Sequence, residues 1–161
     1  MTEQFDVAGL GAGAVVVGVD ASPSARVALA AALREGERRG VPVLAVTAFD
    51  PPDLWGLDSA GLVDVELVER EMRRVTTGIV DEVARDLRAA GTVVPEVRVE
   101  VAPGPAVSTL CLVARGAELL VVGHRGRGAV ASRLIGSVGL GVVVHATCPV
   151  LIMRAGVPAA V

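Results

Sequence analysis

Three residue types are missing from this chain of 161 residues, and two of these absences exclude a class of chemistry. Without lysine there is no P-loop lysine, no Schiff-base lysine and no lysine of the kind that protein kinases carry on a strand. Without tyrosine there is no tyrosine general acid, and asparagine is absent as well. Cys111 and Cys148 lie far apart and match no metal or redox spacing, so Cys111 is expected to be a reduced core thiol.

Charge is scarce and nearly balanced: 20% of the residues are charged, 52% are hydrophobic, and the formal net charge is −3. This composition predicts a folded domain and favours neither a nucleic acid nor a membrane surface as partner. Two charge-free runs, 7–19 and 101–114, are shorter than the roughly 18 residues of a spanning helix. The chain opens with Glu3 and Asp6 and lacks the basic start of a secretion signal. We therefore expect a cytoplasmic protein.

Short apolar runs alternate with segments of helical periodicity along the chain. The runs that predict strands are 14–19, 43–49, 97–101, 119–122 and 150–153. The segments that predict helices run from Ser22-Pro23 to Gly40, from about 63 to 90, onward from Gly104-Pro105, and from 137 to 145. Strands joined by right-handed helical crossovers form parallel sheets that helices cover. The sequence thus predicts an α/β fold with an open, doubly wound, five-stranded parallel sheet.

Glycines at positions 9, 11 and 13 precede the first strand. A dinucleotide fingerprint needs its glycines after the strand, so this segment is not one. We expect a flexible N-terminal arm over residues 1–13, one domain over 14–154 and a C-terminal tail over 155–161.

Ligands of such sheets bind beyond the carboxyl ends of the strands, where the strand order reverses. The first and fourth strands are expected to flank that point, and they end at Asp20 and Gly123. The Asp20 carboxylate could accept a hydrogen bond from a ribose hydroxyl or help to hold a hydrated metal ion. Equally, it could cap the amides that follow it. Position alone leaves these roles open.

The segment after the fourth strand is rich in glycine and arginine: Gly123, Arg125, Gly126, Arg127, Gly128 and Arg133. Glycines without Cβ atoms expose successive amides that can bind an anion, and arginine suits phosphate geometry. Ser137 then opens a helix, whose first N–H groups also favour phosphate. The segment predicts a phosphate cradle, and the alternative is a glycine-rich turn with solvated arginines. No metal-ligand spacing surrounds His124 or His145, and no serine lies in a nucleophile elbow.

Together these segments resemble the universal stress protein family over about residues 14–154. Gly123, Gly126, Gly136 and Ser137 have the spacing Gly-x2-Gly-x9-Gly-Ser of its nucleotide-binding branch. The resemblance implies a sheet of order 3-2-1-4-5 and a homodimer through the last strand, residues Val150, Leu151, Ile152 and Met153.

The resemblance also implies ATP with Mg²⁺ as the ligand. The residue matching Asp20 meets the ribose, and the backbone matching Gly18 and Ala48 lies near the nucleoside. The implied phosphate-binding residues are Gly123, His124, Arg125, Gly126, Arg127, Gly128, Gly136, Ser137 and Val138. The chain differs from the family's common pattern at His124 and Gly139, where hydroxyl residues are frequent.

Three functions remain open at this point. The first is a dimeric, nucleotide-dependent stress or regulatory module, with slow ATP hydrolysis at most and an unidentified protein partner. The second is a weak ATPase or nucleotidyl-transfer enzyme, for which His124 is the one candidate base. The third is an interaction member of the same family that binds no nucleotide.

Overall fold

Five parallel strands and four helices alternate in the part of the chain that the structure describes, residues 7–50, 65–124 and 135–156 of a computed structural model. The strands are β1 (Val15–Gly18), β2 (Val43–Phe49), β3 (Val97–Pro103), β4 (Leu119–Gly123) and β5 (Val150–Met153). The helices are α1 (Pro23–Arg39), α2 (Val65–Ala89), α3 (Ala106–Val113) and α4 (Ser137–His145). The sheet order is β3-β2-β1-β4-β5, and every neighbouring pair is parallel. The α/β fold, the doubly wound sheet and its strand order are therefore confirmed.

Alternate side chains of the central strand supply two cores, one on each face of the sheet. Val15 and Val17 pack with the buried residues of α1 and α2, whereas Val16 packs with those of α3 and α4. All three valines are fully buried. A parallel strand that is covered on both faces needs apolar residues in succession, which explains the valine run.

Helix α1 begins and ends where its sequence predicts. Ser22 is the N-cap and accepts a hydrogen bond from the Ala25 N–H at 3.2 Å, and Pro23 opens the first turn. Gly40 follows the last turn at φ 68°, in the left-handed region that suits glycine. Because α1 starts directly after β1, its N-terminus lies at the carboxyl end of the sheet.

The two edge strands differ in character. β3 carries Arg98 and Glu100 between apolar residues, and Arg73 of α2 lies 3.6 Å from the Glu100 carboxylate. The four residues of β5 are half-buried and uncharged: Val150, Leu151, Ile152 and Met153. Charged side chains on an edge strand oppose pairing with a further strand. Charged side chains therefore protect the β3 edge from pairing with a further strand, and the β5 edge has no such protection.

Residues 7–13 lie against the end of α3. Backbone hydrogen bonds of 2.9 Å run from the N–H groups of Gly9, Gly11 and Gly13 to the carbonyls of Leu112, Val113 and Gly116. The sequence predicted no such contacts for the expected arm. Residues 1–6 and 157–161, the rest of that arm and most of the expected tail, lie outside the described residues. None of the described helices is long and apolar enough to cross a membrane.

Candidate functional site

A cleft opens at the carboxyl ends of β1, β2 and β4, where the strand order reverses. Its lining residues are Gly18, Val19, Asp20, Ser22, Ala25, Val46, Ala48, Ala106, Leu110, Val122, Gly123 and Val138. Most of them come from the side of the sheet that α3 and α4 cover. This is the position in which open α/β sheets bind ligands, and the position that the sequence predicts.

The cleft exists because β1 and β2 part at their ends. Their pairing ends with Gly18 opposite Val46, and the last ladder bond runs from the Val19 N–H to the Val46 carbonyl at 2.8 Å. Alternate residues of a parallel strand direct their N–H and C=O groups to the same neighbour. Ala48 therefore directs its backbone groups toward β1, which provides no partner for it. These backbone groups line the cleft and can bind a ligand.

Gly18 forms part of the floor of this cleft. A Cβ atom at this position would lie 3.1 Å from Leu110 Cδ1 and 3.4 Å from Val122 Cγ1. A side chain would thus be crowded by α3 and β4, and glycine keeps that space open.

Asp20 is half-buried at the edge of the cleft and is held by the helix start that follows it. Its Oδ1 accepts hydrogen bonds from the Ser22 N–H at 2.9 Å and from the Ser22 hydroxyl. The Ser22 hydroxyl is also the N-cap of α1. It thus connects the Asp20 carboxylate to the first turn of the helix and holds both in position. The capping role that the sequence left open is therefore present. Both bonds use Oδ1, and no donor among the described residues bonds to Oδ2.

Gly123 ends β4 directly against α1. A Cβ atom there would lie 2.8 Å from the Ser24 carbonyl carbon and 3.0 Å from its oxygen. Backbone atoms in a helix cannot move aside cheaply, so close packing requires glycine at this position. The sequence predicted Gly123 from the phosphate motif and missed this packing requirement.

The backbone of His124, which follows β4, forms hydrogen bonds with β5 and with the start of α4. Its N–H donates to the Met153 carbonyl of β5, and its carbonyl accepts from the Gly136 N–H, both at 2.7 Å. The residue is 8% exposed and does not line the cleft. The sequence named this histidine as the one candidate base, and the structure places it in a buried position outside the cleft lining.

Helix α4 begins beside the end of β4. Gly136 is its N-cap, Ser137 is exposed in the first turn, and Val138 lines the cleft. Gly139 is buried, and a Cβ atom there would lie 3.0 Å from Ile135 Cγ2. The first turns of α1 and α3 reach the same cleft. Three helix N-termini, each with a partial positive charge, therefore converge at one place.

The structure brings part of the predicted site together. Five predicted residues line the cleft: Gly18, Asp20, Ala48, Gly123 and Val138. Three lie next to it without lining it: His124, Gly136 and Ser137. Four lie outside the described residues: Arg125, Gly126, Arg127 and Gly128.

Sequence reasoning missed seven of the twelve lining residues. The missed residues include Ser22, Val46, Ala106, Leu110 and Val122. Strand alternation carried a usable signal for two of them, because Val46 and Val122 share the face of Gly18.

Neither cysteine is among the residues that line the cleft. Cys111 belongs to α3 and Cys148 precedes β5; both thiols are half-buried, and burial raises the pKa of each. The pKa of Cys148 is raised further by the nearby Cys111. Both stay protonated near neutral pH and are poor nucleophiles. Across the described ranges, no group of three His, Cys, Asp or Glu side chains could hold a metal ion.

Comparisons with known proteins agree on one family. The family model described as the universal stress protein family matches residues 12–154. Universal stress protein Rv2623 of Mycobacterium tuberculosis is 34% identical over 145 residues, which are 87% of this chain and 47% of that protein. Universal stress protein Rv2005c of the same species is 36% identical over 145 residues, 87% of this chain and 45% of that protein. The chain therefore spans about half the length of the curated relatives it matches.

Solved structures show the same fold. A universal stress protein crystallised in complex with cAMP has a TM-score of 0.59 and 26% identity to this chain. That similarity covers 89% of this chain and 98% of the other.

Proposed function

Because the chain belongs to the universal stress protein family, we propose that its cleft binds an adenine nucleotide, ATP with Mg²⁺. The bound nucleotide would set the conformation that a cytoplasmic regulatory partner recognises. The observation that carries this proposal is the meeting, in one cleft, of an open backbone edge at Ala48, the Asp20 carboxylate and three helix N-termini. The relative that was crystallised with cAMP supports an adenine nucleotide as the ligand class.

The base and the ribose would occupy the part of the cleft nearest to β1 and β2. The N–H and C=O groups of Ala48 form a donor–acceptor pair of the kind that hydrogen-bonds the edge of a planar base. Gly18 leaves room beside them. Oδ2 of Asp20 can accept a charge-assisted hydrogen bond from a ribose hydroxyl.

The phosphates would lie at the N-terminus of α4. N–H groups in the first turn of a helix and its partial positive charge favour an anion, and Ser137 adds a hydroxyl donor. A Mg²⁺ ion bound with ATP usually takes phosphate oxygens, waters and one or two carboxylates as ligands. Asp20 is the one carboxylate that lines the cleft among the described residues, so the chain fits an ion delivered with its nucleotide. That ion would supply charge neutralisation.

Hydrolysis would be slow at most. Among the described lining residues Asp20 is the one titratable side chain, and it is already held by Ser22. His124, the candidate base, is buried and does not line the cleft. A general base must reach the proton that it takes, directly or through a water molecule.

Bound nucleotide in freshly purified protein tests the proposal. We expect acid release and chromatography to yield adenine nucleotide, and calorimetric titration of emptied protein with Mg²⁺-ATP, AMP and cAMP to give saturable binding. ADP in place of ATP would point to slow hydrolysis. Empty protein with flat titrations would refute the proposal and favour the interaction member that binds no nucleotide.

We also propose that the protein forms a homodimer through β5. The β5 edge is uncharged, and α4 beside it exposes Leu140, Val143 and Val144 to 56%, 54% and 64%. Apolar side chains clustered on one helix next to an open strand mark an interaction surface. A second copy of the same surface would cover both.

Val144→Glu is expected to weaken the dimer by about 100-fold or more, because a buried unpaired carboxylate costs several kcal/mol. Sedimentation or light scattering over a dilution series measures this. Val93→Glu is the matched control, since Val93 is 67% exposed and lies outside α4 and β5. A monomeric parent protein, or equal dimerisation of both variants, would contradict the proposal.

A further inference from the structure

Two threonines, Thr47 of β2 and Thr76 of α2, lie next to the place where β1 and β2 separate. The Thr47 hydroxyl donates to the Val19 carbonyl at 2.9 Å, and the Thr47 and Thr76 hydroxyl oxygens are 2.7 Å apart. Thr76 belongs to α2 and is 3% exposed. A hydroxyl has one proton to donate, and Thr47 gives its proton to Val19. The proton between the two hydroxyls must therefore come from Thr76, which fixes the direction of this chain of hydrogen bonds.

The Val19 carbonyl is also the acceptor that the sheet itself would use next. After the bond from the Val19 N–H to the Val46 carbonyl, the regular parallel ladder continues from the Ala48 N–H to the Val19 carbonyl. Among the described residues that bond is not formed, and the Thr47 hydroxyl takes the carbonyl instead. The side chain of one β2 residue thus replaces the backbone donor of the next.

We propose that Thr47, supported by Thr76, is a positioning residue of the nucleotide site. Its hydroxyl donates a hydrogen bond to the Val19 carbonyl, so this carbonyl does not pair with the Ala48 N–H. The ends of β1 and β2 therefore stay apart, and the Ala48 backbone groups remain available to the base. The same bond orients the peptide that precedes Asp20. This inference rests on the proposed adenine-nucleotide function and identifies what keeps the base subsite open.

Removal of the Thr47 hydroxyl has a predictable structural result. In Thr47→Val the Val19 carbonyl loses its donor, and the Ala48 N–H is the donor that the regular ladder would supply in its place. The ladder would extend by one bond and close the base subsite. Two hydroxyl bonds are lost and one backbone bond is gained, and the buried Thr76 hydroxyl loses its acceptor, so we expect the melting temperature to fall by a few degrees while the protein stays folded. Thr47→Ser keeps the hydroxyl and is the matched control.

Binding and amide exchange together test this inference. We expect Thr47→Val to weaken binding of ATP and AMP by the same factor, about tenfold, because the base subsite is common to both. Thr47→Ser should bind within about twofold of the parent protein. In amide hydrogen exchange followed by NMR without ligand, the Ala48 N–H should exchange fast in the parent protein and slowly in Thr47→Val.

The outcomes separate this inference from the function on which it rests. A folded Thr47→Val protein that binds like the parent, or an Ala48 N–H already protected in the parent, would overturn the positioning role. Equal losses in Thr47→Ser and Thr47→Val would do the same. If the parent protein binds no nucleotide, the proposed function fails, and the exchange rate of Ala48 still decides whether Thr47 holds the strands apart.

Discussion

Ser137→Glu is expected to weaken ATP binding by about 100-fold without loss of stability. The new carboxylate would face the phosphates at the start of α4, and like charges brought together cost several kcal/mol, of which about 2.7 kcal/mol corresponds to 100-fold. The same carboxylate lies at the partial positive charge of a helix N-terminus, which stabilises the helix by about 0.3–1 kcal/mol. Ser137 is exposed, so the longer side chain meets no core residue.

The opposite signs of these two effects make the variant informative. Calorimetric titration with ATP, AMP and adenosine measures the loss of binding, and thermal unfolding measures the change in stability. The loss should be greatest for ATP and smallest for adenosine, because the repulsion grows with phosphate charge. Ser137→Gln, of similar size but uncharged, should lose far less. Unchanged ATP affinity in folded Ser137→Glu would place the phosphates elsewhere.

Gly123→Ala should destabilise the protein although it adds one methyl group. The Cβ would lie 2.8–3.0 Å from the backbone and Cβ of Ser24, so β4 and α1 would have to move apart. Overpacking of this kind costs about 1–3 kcal/mol, or roughly 2–12 °C in melting temperature for a domain of this size.

Gly78→Ala is the matched control with the opposite sign. Gly78 lies inside α2, and nothing lies within 4 Å of an added Cβ. Alanine is the better helix former by about 1 kcal/mol, so this variant should melt at a higher temperature. Equal melting temperatures for the two variants would show that β4 and α1 are not packed as closely as described. Because larger residues at Gly123 act through this clash, their loss of binding could not be assigned to the phosphates.

Element positions were predictable where the sequence marks one end or both ends of an element. β2, α4 and β5 have the predicted bounds, because proline, glycine or aspartate stands next to each apolar run. The predicted bounds of β1 and β3 were less accurate. β1 was expected over 14–19 and forms over Val15–Gly18, since it parts from β2 at the cleft. β3 was expected over 97–101 and continues to Pro103 along β2.

The location of the site was predictable, and its detailed chemistry was not. A parallel sheet with Asp20 and Gly123 at two strand ends indicates the cleft, because the carboxyl ends of its strands meet on one side. The open edge at Ala48 depends on how far two strands stay paired. In the proposal above, that distance is set by the Thr47 hydroxyl on the Val19 carbonyl, supported by Thr76 of α2, a helix that lies between β2 and β3 in the chain. No local pattern encodes such a contact.

The unequal edges of the sheet also limit how large an assembly can grow. A molecule whose sheet can pair at both edge strands can assemble into fibres. A molecule that pairs with a second copy at one edge strand alone forms a dimer and goes no further. Arg98 and Glu100 interrupt the β3 edge, and β5 carries no charge. Two copies joined at β5 would present β3 at both outer ends. If the proposed pair forms, the charged β3 edges at its two ends would oppose its extension into a polymer.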